Sequence, residues 1–397
     1  MNPFIKSLAV CVLAAASTFL YAQAPAEAPS QTPVSIPQPP EVAAKAWLLL
    51  DVTSGQLLAS KNPDAPVEPA SLTKLMTAYL AFDALKSKKI SLTQTLSVSE
   101  RAWKMIGSRM FIDPKMQVPV EDLIKGMIVQ SGNDATVALA EGVGGTVEHF
   151  VQMMNDQAKA LGMKNTGYKN PEGLTEAGHT TTAADLATLA TRLMRDFPEY
   201  IHYYSIKKYH YPGTPASNDT NRNPLLHRDP TVDGLKTGHT AAAGYCLVAT
   251  AKRDFPNLQG RRLLSVVLGA SSDSVRANES QKLLNWGFIA YEDLKLFDAG
   301  QPVVTLKVWK GATSELKLGR NQPIVVSVPA GTTNQVKTEI NRPEPLVAPF
   351  KKGQPVATLK ITLGDQTLSE SPLMALEPVE EAGFLGRAWD AMRLWIK

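Results

Sequence analysis

At 397 residues, with 44% hydrophobic and 20% charged side chains, the chain is long enough for two packed domains and too apolar for general disorder. Its formal net charge is only +4, and basic residues gather no further than short groups such as "KSKK" (Lys86 to Lys89), which argues against nucleic acid as a partner.

Residues 1–24 read as a secretory signal peptide. Lys6 gives the positive start, and Leu8 to Ala22 form an apolar run too short to span a bilayer. "AQA" (Ala22 to Ala24) offers a cleavage site, although Pro25 makes a cut after Ala22 a competitor. Cys11 follows Val10 rather than a small residue, which argues against a lipid anchor there. Cleavage leaves Cys246 alone, so no intramolecular disulfide is expected. Its setting in the apolar run "YCLVATA" reads as a buried, inert thiol.

Residues 25–41 are a Pro-rich linker. A first domain is expected over 42–296. "AWLLLDVTSGQLLAS" reads as a hairpin turning at Thr53-Ser54-Gly55. Helical spacing follows over Ser71 to Leu85, Val120 to Gln130, Asp134 to Glu141, Val147 to Leu161 and Ala183 to Met194. Strands return at "GYCLVATAKR" and "RRLLSVVLGA", and a helix runs from Ser274 to about Tyr291. The pattern predicts an α+β domain with helices against an antiparallel sheet. Residues 297–380, with short alternating runs such as "PIVVSVPAG" and "QPVATLKITLGD", predict a small all-β domain. Residues 381–397 predict an amphipathic helix. At 100° per residue, Phe384, Leu385, Ala388, Trp389, Met392, Trp395 and Ile396 share one face; Arg387, Asp390, Arg393 and Lys397 share the other, with Leu394 the apolar intruder. Such a helix fits a membrane surface rather than a span, with packing on its own domain as the alternative.

"EPASLTKLMTAY" places Ser71 at a helix start with Lys74 one turn on, a spacing that suits a capping hydroxyl as well as an activated one. S-x-x-K alone says little, because Ser205/Lys208 and Ser314/Lys317 repeat it. Together with "SGN" (Ser131 to Asn133) between helical runs and "KTG" (Lys236 to Gly238) at the head of a strand, it forms the ordered motif set of penicillin-interacting serine enzymes. On these motifs, and on flanks such as "PASLTKLMT", "NPEGL", "TNRNPLL" and "KLLNWGF", the chain resembles the D-alanyl-D-alanine carboxypeptidases, the low-molecular-mass penicillin-binding proteins of the penicillin-binding protein 5 and 6 type. The resemblance implies a serine β-lactamase/transpeptidase-like catalytic domain. It also implies peptidoglycan stem peptides and β-lactams as ligands; no cofactor or metal is expected, and the secretory signal with the terminal helix places the protein on the periplasmic side of the cytoplasmic membrane.

A serine hydroxyl needs a base, and Lys74 is the nearest candidate if burial and a second cation, Lys236, lower its pKa. Ser131 can relay a proton between Lys74 and the leaving amine, and the Asn133 amide can hold substrate backbone. The backbone N–H of Ser71 can supply one oxyanion donor. The second, His239 N–H, is implied by the resemblance, which gives its side chain no chemistry. Lys236 and Thr237 suit the substrate carboxylate, with Gly238 beside them as a substrate-binding position; Arg276 resembles the family's arginine for that group, and Arg222 is a second candidate. His179 and Asp185 fall in the segment resembling the family's loop over the site, and Glu172 stands where some relatives carry a histidine. Two rivals remain. A serine β-lactamase shares the motifs, but "PEGLT" lacks the E-x-x-L-N spacing of class A enzymes. A silent cell-wall scaffold is argued against by the intact Ser71, Lys74, Ser131 and Lys236.

Overall fold

The computed structural model describes residues 35–395; the signal peptide read over 1–24 and the linker up to residue 34 lie outside them. Residues 35–41 carry no regular structure, and chain order begins in earnest with β1 (Ala46–Asp51) and β2 (Leu57–Lys61). Their hairpin turns as expected: Asp51 Oδ1 accepts from Thr53 N–H at 2.9 Å and Ser54 N–H at 3.0 Å, and Gly55 takes φ +79°.

A 3-10 turn (Ala70–Thr73) leads into α1 (Lys74–Lys86), so the helix expected from Ser71 begins three residues later. Then come β3 (Thr95–Ser97), α2 (Glu100–Trp103), β4 (Gln117–Pro119) and α3 (Val120–Lys125). The helix expected through Gln130 widens into a π turn (Gly126–Gln130) that ends on Ser131 in the left-handed region, φ +59°. Such widened turns recur at functional sites because they re-aim the residues after them. The helical layer continues through α4 (Asn133–Gly144), α5 (Val147–Ala160), α6 (Ala183–Asp196) and α7 (Leu225–Arg228).

Next are β5 (Val232–Thr240), β6 (Gly244–Phe255), β7 (Leu258–Ala270) and α8 (Asp273–Ala290). The antiparallel sheet runs β2-β1-β7-β6-β5. Alternation divides it between two cores: Ala46 and Leu48 of β1 face the helical insert, while Trp47 and Leu49 face α8 with Leu283, Leu284 and Phe288. Lys236, Thr237 and Gly238 lie within β5, not at the head of the following strand. Two glycines and the polar Lys236, Thr237 and His239 conceal that strand from apolar alternation.

The second domain holds β8 (Tyr291–Phe297), β9 (Pro302–Lys307), β10 (Glu315–Gly319), β11 (Ile324–Pro329), β12 (Val336–Asn341), β13 (Pro355–Leu363) and β14 (Gln366–Ala375), then α9 (Phe384–Trp395). One sheet runs β12-β13-β14-β10-β9, and β11 pairs with β8 around a core that includes Leu318, Val326, Leu359 and Leu373. Because β8 belongs to this pairing, the change of sheet comes at Tyr291, six residues before the change of texture at Phe297. The junction is ionic and buried. Arg261 of β7 bonds Asp51 of β1 at 2.9 Å, Asp293 of β8 at 3.0 Å and Tyr291 O at 2.6 Å. Burial and the Asp51 charge raise the Asp293 pKa.

Arg261→Ala would strand two carboxylates in that junction, and urea denaturation should show a loss of about 3–5 kcal/mol. Asp293 takes a proton more readily folded than unfolded, so the loss should shrink as pH falls and grow as it rises.

Candidate active site

Ser71 sits in the 3-10 turn, half-buried, and its hydroxyl makes no capping bond. The residue before it, Ala70, has φ +48°, a region that side-chain-bearing residues avoid at a cost of about 1–2 kcal/mol. Neighbouring backbone enforces it. A Cβ on Gly173 would lie 1.9 Å from Ala70 O, and one on Gly238 would lie 3.1 Å from Pro69 O and 3.2 Å from Leu72 N. The Ser71 turn is thus clamped between a loop and β5; the close approach requires glycine at 173 and is tight at 238.

Lys74 opens α1, one turn after Ser71, with 1% of its surface exposed. Its Nζ lies 3.0 Å from Ser71 Oγ, 2.7 Å from Asn133 Oδ1 and 2.6 Å from Glu172 O. Asn133 and Glu172 offer only acceptors here, since Asn133 Nδ2 donates to Ile106 O at 2.7 Å. A neutral amine has two protons and one lone pair. Both protons go to those oxygens, which leaves the lone pair for the Ser71 proton. Burial lowers the Lys74 pKa to about 7, against the opposing charges of Glu172 and Asp134. Desolvation is the leading cause for Lys74, and the repulsion between Lys74 and Lys236 is felt as a lowering of the Lys236 pKa.

Lys236 is also buried, and its Nζ donates to Ser131 Oγ at 3.0 Å and Thr237 O at 2.9 Å. Its pKa falls well below the ordinary value through burial and then the positive charges of Lys74, Arg276 and Arg222. Ser131 bonds Lys236 rather than Lys74. Asn133, expected to hold substrate backbone, has both ends of its amide committed to Lys74 and Ile106.

A cleft of about 170 Å³ is lined by Ser71, Ser108, Ser131, Arg222, Thr237, Gly238, His239 and Arg276. β5 is an edge strand, so alternate backbone groups face this cleft without a sheet partner. The His239 ring stacks on Tyr245 at 4.0 Å. Arg276 donates to Gly238 O at 2.9 Å and Cys246 O at 3.2 Å and pairs with Asp273, which leaves its Nε buried without a partner. Arg222 is the more exposed of the two arginines. Ser205 and Ser314 are exposed and outside the cleft, and Cys246 is buried with its pKa raised by burial.

Asp134 escaped sequence reasoning. Its buried carboxylate accepts from the N–H groups of Met110 at 2.8 Å, Phe111 at 2.7 Å and Ile112 at 3.2 Å, shaping the loop that brings Ser108 to the cleft. An acidic residue after "SGN" reads as an ordinary helix start. Asp185 is a loop anchor, accepting from Asn165 N–H at 2.9 Å and Thr166 Oγ1 at 2.7 Å, while Thr182 caps α6.

The family model for D-alanyl-D-alanine carboxypeptidase matches residues 33–272, and that for the C-terminal domain of penicillin-binding protein 5 matches 291–381. D-alanyl-D-alanine carboxypeptidase DacC of Escherichia coli (strain K12) is 43% identical over 386 residues, covering 95% of this chain and 94% of its own. DacA of Haemophilus influenzae is 38% identical over 364 residues, 90% of this chain and 91% of that one. The crystal structure of penicillin binding protein 5 from Haemophilus influenzae superposes with a TM-score of 0.81 at 38% identity, covering 87% of this chain and 99% of that chain. Penicillin-binding protein D2 from Listeria monocytogenes in its ampicillin-bound form gives 0.56 at 32% identity, over 63% of this chain and all (100%) of that one.

Proposed function

The chain belongs to the D-alanyl-D-alanine carboxypeptidase family, and from that membership we propose that Ser71 is its nucleophile, Lys74 the base and Ser131 the proton donor to the leaving amine. The enzyme removes the terminal D-alanine from peptides through a serine acyl-enzyme and binds β-lactams. The observation that carries the assignment of residues is the Lys74 amine, whose two other partners are fixed oxygens.

A peptidoglycan stem peptide enters along β5 as an added strand. Its terminal carboxylate meets Lys236 and Thr237 with Arg222 and Arg276 nearby, and adds a negative charge to this basic cluster. The scissile carbonyl oxygen lies between the N–H groups of Ser71 and His239. Lys74 takes the Ser71 proton as Oγ attacks the carbonyl carbon. Ser131 passes its proton to the departing amine nitrogen and takes one in its place from Lys236, whose Nζ donates to its oxygen; that proton returns to Lys236 from the attacking water, and the one on Lys74 returns to Ser71 Oγ, as the ester is cleaved. The C–N bond breaks, D-alanine leaves, and water then cleaves the ester. In a β-lactam the broken amide stays tethered, so its leaving group blocks that water.

We also assign α9 to the membrane surface. Its polar face meets the second domain: Asp390 accepts from Lys310 N–H at 2.6 Å, Arg393 lies 5.7 Å from the Trp309 ring, and Leu394 is half-buried there. Phe384, Leu385, Trp389, Met392 and Trp395 remain exposed, Trp395 by 89%. Among the described residues no helix is long and apolar enough to cross a bilayer. An exported chain would thereby rest on the periplasmic face of the cytoplasmic membrane, beside its substrate. Ile396 and Lys397 lie outside the described residues.

After penicillin treatment, mass spectrometry should find the adduct on the Ser71 peptide; an adduct persisting in Ser71→Ala would refute the mechanism. With the Lys74 pKa near 7, the acylation rate should rise with pH through about 7 and then level. Lys74→Arg, which cannot release a proton, should abolish acylation, whereas Lys236→Arg should retain part of it.

Deleting residues 381–397 should release the protein from membranes while hydrolysis of a small diacyl-D-Ala-D-Ala peptide continues. Membrane retention, or loss of that hydrolysis, would contradict a simple anchor.

A further inference from the structure

Thr73 fills a variable position of S-x-x-K and His179 lies outside the three motifs, and the acyl-transfer steps above use neither side chain. They form a hydrogen-bonded chain that ends on the nucleophile's own peptide. Lys169 N–H donates to His179 Nδ1 at 2.9 Å, so the lone pair is on Nδ1 and the proton on Nε2. Nε2 therefore donates to Thr73 Oγ1 at 2.8 Å. The Thr73 proton is left for Ala70 O, 2.8 Å away. Burial depresses the imidazole to about 4, which keeps it neutral; the charges facing it are Glu176, Glu68 and Lys169.

The start of this chain is firmly held. His179 is 2% exposed. Its loop is tied by Asp185 to Asn165 and Thr166, and by backbone bonds between Val67 and Thr181 at 2.9 Å in each direction. The far end is the oxygen of a peptide plane whose other end is Ser71 N–H. A peptide unit is rigid, so fixing its carbonyl direction fixes its N–H direction. Ala70, at φ +48°, is the residue least inclined to hold that plane unaided. Gly173 closes on the same oxygen from its own side.

We propose that His179 is a positioning residue: through Thr73 it holds the Ala70–Ser71 peptide so that Ser71 N–H is aimed at the developing oxyanion before substrate arrives. The proposal rests on the assignment of Ser71 as nucleophile. It concerns the rate of acylation, not substrate affinity, because neither side chain lines the cleft.

Stopped-flow acylation of the full-length protein by a chromogenic β-lactam tests it, with penicillin adducts located by mass spectrometry. His179→Ala and Thr73→Val should each slow the limiting acylation rate about tenfold to a hundredfold, less than or near the loss of a whole oxyanion donor. The half-saturating concentration should change by no more than about threefold, the pattern of an interaction made in the transition state. Thr73→Ser, which keeps the hydroxyl, should restore the rate. The double variant should be no slower than the slower single, as members of one chain require. Should His179→Ala fail to fold, the Thr73→Val and Thr73→Ser pair decides alone. Unchanged rates, additive losses, or equal losses in Thr73→Val and Thr73→Ser would overturn the proposal. A wild-type protein with no adduct on Ser71 would instead overturn the nucleophile assignment beneath it.

Discussion

An amine with 1% of its surface exposed must satisfy each proton it keeps or give one up. Lys74 meets that condition with one amide oxygen, one backbone carbonyl and one hydroxyl. Only the hydroxyl can act as donor in return, so the neutral form directs its lone pair at Ser71. Several parts of the first domain meet in this arrangement. α1 carries Lys74, α4 brings Asn133, the loop after α5 brings Glu172 O, and β5 closes the other side through Gly238. A shift in any of them changes what Lys74 can do with its third partner.

The two lysines have different work because their partners differ. Lys74 faces fixed acceptors and a removable proton, and burial lowers its pKa, which suits the base role proposed for it. Lys236 faces Ser131 and a backbone carbonyl in a neighbourhood of other cations. In the proposed reaction a substrate carboxylate would offset that positive charge, and so would link substrate binding to the hydrogen bond that Lys236 gives Ser131. Because Glu172 is itself buried and its carboxyl pKa raised by that burial, it is a weaker source of negative charge beside Lys74 than its position suggests.

The division between what could and could not be read in the sequence follows from locality. Ser71 and Lys74 are one helical turn apart, so their encounter is a matter of spacing. "SGN" and "KTG" are short motifs whose chemistry depends on residue type, and the fold brings them within bonding distance through Ser131 and Lys236. β1 and the turn after it were legible as an apolar run broken at Thr53-Ser54-Gly55, because both faces of the strand are buried, each in a different core. β5 was not recognised as its own strand, since an edge strand facing a cleft carries function instead of apolar alternation. Asp134, Ser108 and the His179–Thr73 contact depend on residues far apart in the chain: Thr73 and His179 are separated by 106 positions. No local pattern announces such a pairing. α9 was legible in its two faces, but only the structure shows the polar one turned toward the second domain.

The central claim, that Lys74 is poised to be neutral, can be measured on the resting enzyme. The protein is labelled with 13C at lysine Cε and titrated by NMR, with Lys74 assigned from the resonance lost in Lys74→Arg. A midpoint near 7 is the expected result. A midpoint near the ordinary lysine value of about 10.4 would mean that the hydrogen bonds hold an ammonium, and would contradict Lys74 as the base.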